Sequence, residues 1–212
     1  MTKQLAIIGA SGHGKVIADI AEQLGFIVKF YDDDYPNKTN IEHWQIQGTC
    51  ADLIALNNTN VTLNRDVVVA IGNNETRQQK IELLQQNSFN LIALIHPAAV
   101  ISQYATIAQG SVVFAGAIIN AFANVGVGCI INTAAVIEHD CSIDDFTHIC
   151  PNVALAGGVT VGSKSWIGIG SQVKQLVTIG DSCLIGAGST VLKNMPDNVT
   201  AFGSPAVVIK SH

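Results

Sequence analysis

ISQYATIAQGSVVFAGAIINAFANVGVGCIINTAAVIEHD, residues 101–140, carries the pattern that decides the fold. Stepping by six from Ile101 reaches Ile107, Val113, Ile119, Val125, Ile131 and Ile137. The same step continues through Ile143, Ile149, Leu155, Val161, Ile167, Val173, Ile179 and Ile185 to Val191, so all sixteen positions are Ile, Val or Leu. The residue four further on is small or short and β-branched, from Ala105, Ser111 and Ala117 to Val177, Cys183 and Ser189; only the last, Met195, departs. No hexad carries an insertion. Neither a helix nor a lone strand has this period. A triangular solenoid does: each hexad is a short strand and a turn, the aliphatic residue fills the interior, and the small residue packs where the chain bends. Three hexads close one coil, and the repeat predicts a prism of a little over five coils, on the order of 25 Å tall at about 4.8 Å per coil.

The composition agrees with that core. Hydrophobic residues make up 48% of the chain while aromatics make up 6%, so small and branched aliphatic side chains must do the packing. Lys and Arg number 11 against 16 Asp and Glu, a net charge of −5 without a basic cluster, which excludes a phosphate-neutralising nucleic-acid surface. From Pro97 to Ile137 there is no Asp, Glu, Lys, Arg or His, yet Ser102, Gln103, Gln109, Asn120, Asn124 and Asn132 recur with glycines, which suits hydrocarbon poorly. No secretory signal is visible, and the five cysteines form neither a CxxC pair nor an even disulfide framework, so a cytoplasmic location is expected. Cys129, Cys141 and Cys183 fall on the small interior position.

Residues 1–95 follow a different rule. Leu5 to Ala10 reads as a buried strand, Gly9 to Lys15 as a glycine-rich turn, and Val16, Ile17, Ile20, Ala21 and Leu24 as a helix closed by Gly25. Phe26 to Tyr31, Val67 to Ile71 and Leu91 to Ile95 read as further strands, with a helix over Glu75 to Asn87. This alternation predicts a small Rossmann-like parallel α/β domain, followed by the prism over 96–197 and a tail over 198–212. The glycine turn is GxxGxG rather than the dinucleotide order GxGxxG. Val16 stands where an NTPase loop needs a hydroxyl for magnesium. What remains is a backbone cradle at a helix N-terminus, suited to a diphosphate, or a tight turn that binds nothing.

Together, GASGHGK at 9–15, AIGNNETR at 70–77, LIHPAAVIS at 94–102, NTAAVIEHDCSIDDFTHI at 132–149 and GSPA at 203–206 resemble the sialic acid O-acetyltransferase-type hexapeptide-repeat sugar acyltransferases. Within them the chain is most similar to enzymes that N-acetylate UDP-4-amino-4,6-dideoxy-N-acetylglucosamine. The resemblance implies a left-handed β-helix, a homotrimer with sites between prisms, acetyl-CoA as co-substrate and a UDP-linked amino sugar as acceptor, with no metal. It assigns Ser11, Gly12, His13, Asp32, Asp33, Gly72 and Asn73 to the nucleotide sugar, with Asp34 blurring the register of the acidic pair. It makes His139 the general base with Asp140 beside it, and places His148, Ile169 and Ala187 along the acetyl-CoA, Ala187 standing where relatives tend to carry glycine.

The residues themselves permit that chemistry. Acetylating an amine needs a group to take a proton, and an imidazole with an ordinary pKa of about 6.5 suits neutral pH. His139 is the third residue of its hexad, near a bend, so its ring is expected to point outward, with Asp140 or Glu138 to hold the tautomer. No Ser–His or Cys–His nucleophile pair is apparent, which favours direct attack, with coil amides or His148 stabilising the oxyanion. His96 reads as a hinge residue, and Arg77 as either a ligand contact or an exposed helix residue. His139-x-Cys141 and His148-x-Cys150 mimic metal pairs, but on this lattice residues two apart face opposite sides. A prism-shaped zinc carbonic anhydrase remains a rival class that leaves the first domain unexplained. The other rivals are an O-acetyltransferase acting on a sugar hydroxyl and a non-catalytic nucleotide-sugar-binding protein.

Overall fold

A computed structural model describes residues 3–57 and 66–212, in two compact units, Met1–Pro97 and Ala98–His212. In the first, β1 (Lys3–Ile8) leads to α1 (Gly12–Gln23) and β2 (Phe26–Tyr31). A two-residue hairpin, β3 (Asn40–Ile41) with β4 (Trp44–Gln45), precedes α2 (Cys50–Asn57), β5 (Asp66–Val69), α3 (Asn74–Gln86) and β6 (Asn90–Leu91). The parallel sheet has the order β2-β1-β5-β6. Central β1 is buried from Leu5 to Ile8, as a parallel strand covered on both faces must be. Its chain reverses at Gly9, whose φ of +106° and approach to the Ala70 carbonyl exclude a side chain: a Cβ there would lie 2.9 Å from that oxygen.

The expected strand over Leu91–Ile95 is broken. Asn90–Leu91 joins the sheet, and Leu94–Ile95 forms a separate short strand after a two-residue interruption. The hairpin and α2 are elements the periodicity did not announce. Arg77 is neither exposed nor in the cleft wall: it is 1% exposed, and its guanidinium donates to the carbonyls of Ile71 and Gly72 and to Asn74 Oδ1 at 2.8–3.0 Å. It therefore fixes the loop after β5 from inside.

The second unit is a parallel β-solenoid. Each hexad contributes one two-residue strand, from Val100–Ile101 to Thr190–Val191, and partners lie 18 residues apart, as in Ile119↔Ile137 and Val125↔Ile143. The second residue of each strand points inward; Ile119, Ile131, Ile137, Ile149, Leu155, Val161 and Ile167 are at most 1% exposed. Burying each such side chain is worth roughly 1.5–3 kcal/mol, which is how strands this short persist. The small position does more than save space. Ser111 Oγ donates to Gly126 O and accepts from Cys129 N, and Ser165 Oγ donates to Gly180 O and accepts from Cys183 N, all at 2.6–2.9 Å. Cys129 and Cys183 donate their thiols to the carbonyls of Asp144 and Pro196. Beyond the hexads, Val199–Gly203 stacks on Leu184–Ile185, and Ala206–Ser211 folds back antiparallel, so the tail is a β-hairpin. Among the described residues no helix is long and apolar enough to cross a membrane, and no three His, Cys, Asp or Glu side chains converge as metal ligands.

Candidate active site

In the first unit the carboxyl ends of β1, β2 and β5 open into a cleft of about 290 Å³. Ser11, Asp32, Asp33 and Gly72 line it together with Thr76 and Lys80; Gly12, His13 and Asn73 are not among its walls. Asp32 accepts from Ala10 N at 2.5 Å and from Asp34 N at 3.0 Å, so it ties the glycine turn to the end of β2. Asp33 accepts from Cys50 N at 3.1 Å and pairs with Lys80, and that bond to Lys80 holds its carboxyl below the usual range. Asn73 caps α3, accepting from Thr76 N at 2.9 Å. Lys80 is the cation that sequence reasoning missed. It sits two turns into α3, 47 residues from Asp33, and no local pattern connects the two.

Burial, and then the charge of Arg77, push the His13 pKa down to about 4. At neutral pH this imidazole is uncharged, so it adds no cation behind the cleft. The cation among the cleft walls is Lys80, paired with Asp33, and the backbone amides that open α1 and α3 lie at the same strand ends.

In the second unit His139 and Asp140 stand on a prism corner, each side chain 63% exposed. Asp140 takes the corner in the left-handed region, φ +61°, and its N–H donates to Ala121 O on the preceding coil at 3.1 Å. His139 Nδ1 is 2.7 Å from Asp140 Oδ2. A carboxylate only accepts, so the ring proton is on Nδ1 and Nε2 presents a lone pair. That bond to Asp140, helped by the negative charges of Asp140 and Glu138, raises the His139 pKa. Glu138 bonds the backbone N–H of His139 at 3.4 Å rather than its ring, so Asp140 is the residue that holds the imidazole.

On the same prism a groove of about 360 Å³ is lined by His148, Ile169 and Ala187 together with Asn132, Cys150 and Trp166. Asn132 Oδ1 accepts from Thr133 N at 2.8 Å, which fixes the amide so that Nδ2 points to His148 Nε2 at 3.0 Å. The His148 ring, 5% exposed, lies 4.2 Å from Trp166, its partner one coil on. Trp166 was legible as 148 plus 18; Asn132 was not, because its offset depends on a side chain reaching across a coil. Burial raises the Cys150 thiol to about 12, and Cys141 Sγ turns inward to donate to Ala156 O. Neither is a thiolate nucleophile at neutral pH.

Hexad prism, parallel α/β unit, imidazole–carboxylate corner and apolar groove together define a class of two-unit repeat enzyme, and the comparisons place the chain within it. Residues 4–84 match the PglD N-terminal domain family. The acetyltransferase domain of PglB from Neisseria gonorrhoeae, solved with acetyl coenzyme A, is 37% identical with a TM-score of 0.91, over 99% of this chain and 100% of that one. A mutant perosamine N-acetyltransferase from Caulobacter crescentus, solved with CoA and GDP-perosamine, is 34% identical with a TM-score of 0.93, over 100% and 99%. UDP-N-acetylbacillosamine N-acetyltransferase of Bacillus subtilis is 39% identical over 124 residues, 53% of this chain and 52% of that enzyme. The chain spans from about half to two-thirds of the length of the curated relatives it matches. The chain belongs to the hexapeptide-repeat sugar acyltransferases.

Proposed function

We propose that this protein transfers an acetyl group from acetyl-CoA to the amino group of a UDP-linked 4-amino-4,6-dideoxy sugar. The observation that carries the reading is the His139–Asp140 pair, an exposed imidazole whose Nε2 is left basic by a carboxylate at 2.7 Å. The acceptor's diphosphate belongs in the first-unit cleft, where Ser11, Gly72, Thr76 and Lys80 supply amides, hydroxyls and one cation. Gly12, His13 and Asn73 then act at its margin, and Asp32 and Asp33 hold the cradle in shape and remain acceptors for ribose hydroxyls. The pantetheine arm fits the groove of His148, Ile169 and Ala187. Support for both substrates comes from relatives solved with acetyl-CoA, or with CoA and a nucleotide-linked amino sugar.

Acetyl-CoA supplies an activated carbonyl. The neutral amine attacks it, the new C–N bond forms, and the C–S bond breaks to release the CoA thiolate. His139 Nε2 takes the amine proton, Asp140 stabilises the imidazolium, and the proton passes on to the thiolate. No acetyl-enzyme is needed, in keeping with the protonated, inward cysteines. The working form is a homotrimer.

The test is thiol release with matched UDP- and GDP-linked 4-amino sugars, their 4-hydroxyl analogues and sialic acid. The expected result is turnover with the UDP-amino sugar and a loss of about 10²- to 10⁴-fold in His139→Ala. Asp140→Asn removes the main cause of the raised His139 pKa. The base works only when neutral, so activity falls as pH drops through that pKa, and the acidic limb of kcat/KM should move to lower pH in the variant. Turnover of hydroxyl acceptors alone, or an His139→Ala enzyme of near-normal rate, defeats the reading.

A further inference from the structure

The imidazole of His139 is mostly exposed, yet its ring position is defined. Asp140 holds Nδ1, and the opposite edge of the ring rests on backbone. One coil beyond, at the same place in the repeat, stands Gly157, joined to the His139 coil by the bond from Gly158 N to His139 O at 2.9 Å. A Cβ built on Gly157 would lie 2.6 Å from both Cε1 and Nε2 of His139 and 3.3 Å from Cδ2. The space a methyl group needs is occupied by the basic edge of the ring.

Conformation does not demand this glycine. Gly158, at φ +68°, sits in the left-handed corner that Asp140 and Leu176 occupy on neighbouring coils, whereas Gly157 lies outside that region, in backbone any residue adopts. The three atoms nearest the added Cβ all belong to the His139 ring, so the contact an alanine must relieve is with that side chain. Turning the ring about its χ angles to make room draws Nδ1 away from its present place on the Asp140 carboxylate. The residue before His139 in the same column, Ala121, is also small. The imidazole is therefore steered from one side by a carboxylate and seated on the other where a side chain is missing.

We infer that Gly157 is a positioning residue for the transfer reaction: its bare backbone seats the His139 ring so that Nδ1 meets Asp140 while Nε2 stays aimed at the amine. The inference rests on His139 being the base, and its test separates the two. Gly157→Ala should lower kcat on the order of 10²-fold, the scale of a misplacement of about 1 Å, with KM for both substrates nearly unchanged. Its acidic limb should shift to lower pH in the same sense as Asp140→Asn. In the His139→Ala background, where the ring is gone, the same glycine substitution should change kcat less than about twofold, because the two effects share one side chain. Equal losses in both backgrounds, as a role for the Gly157 amide in binding the acetyl group would give, overturn the inference. So does an unshifted pH limb in Gly157→Ala. Should Gly157→Ala unfold only when His139 is present, the clash is confirmed; unfolding in both backgrounds refutes the seat. A His139→Ala enzyme of normal rate refutes the base instead.

Discussion

A histidine's environment decides which of its properties a protein can use, and the three singled out here diverge for separate physical reasons. His139 is exposed and carboxylate-bound, so its pKa rises; His148 is packed between Asn132 and Trp166; His13 is buried beside Arg77 and stays neutral to about pH 4. The last has a consequence for stability. The folded His13 binds its proton only near pH 4, whereas the unfolded one does so near 6.5, so its neutral burial costs nothing above 6.5. Stability is lost as pH falls from 6.5 toward 4, up to about 3 kcal/mol. At pH 5 the loss is about 2 kcal/mol. His13→Asn should narrow the gap to wild type by that amount between pH 7.5 and pH 5 in urea titrations. Trp44 fluorescence in a Trp166→Phe background reads the first unit selectively; a gap independent of pH would refute the neutral burial. The sequence could show that residues 139 and 140 lie at a bend and that both are polar. It could not show the Lys80–Asp33 pair or the burial of Arg77, because the first depends on how α3 lies against the loop after β2 and the second on how it lies against the loop after β5, which no spacing encodes.

Elements were legible where a single period governed them. The hexad placed every prism strand because one aliphatic position and one small position repeat without insertion. The small position was read only as volume. Its serines, threonines and cysteines are also chosen for what they donate: Ser165 satisfies Gly180 O and Cys183 N in an apolar interior, as Ser111 does for Gly126 O and Cys129 N. Ser165→Ala keeps the volume and leaves a buried amide and carbonyl short of a partner, which costs about 1–3 kcal/mol. In a chain of this size that is roughly 2–4 °C of Tm per kcal/mol, with Ser165→Cys recovering part of it. A calorimetric Tm unchanged in Ser165→Ala would show the hydroxyl to be filler. In the first unit, α2 carried a signal that hydrophobic periodicity does not see. Thr49 and Asp52 form a reciprocal cap, Asp52 Oδ2 accepting from Thr49 N and Thr49 Oγ1 from Asp52 N, the T-x-x-D spacing that marks a helix start. The strand over 91–95 failed for the opposite reason: a run of apolar residues has no mark for where pairing stops.

At the scale of the whole molecule, two units with different folding rules supply two kinds of site, and the prism's rule makes its stability a matter of neighbours. Each coil is held by the coils on either side, so the end of the column needs a cap. Here it is the hairpin Val199–Gly203 with Ala206–Ser211. Gly186 N donates to Ala201 O at 2.9 Å, Gly203 N reaches Ser189 Oγ, and Val199 and Ala201, at most 1% exposed, close the interior. The strand it covers, Leu184–Ile185, together with Gly186 and Ala187, forms the far wall of the groove assigned to the pantetheine arm. Removing residues 199–212 therefore strips the groove wall of its backbone partners while leaving the cleft of the first unit chemically intact. The truncated chain should lose hydrogen-exchange protection first at 184–187 and then inward coil by coil, and should bind CoA at least about tenfold more weakly, some 1.4 kcal/mol. The thermal shift produced by a UDP-sugar should survive, because its walls come from β1, β2, β5 and α3. Protection at 184–187 equal to that of the full chain would show that the last coil holds itself, and that the hairpin serves something other than the groove.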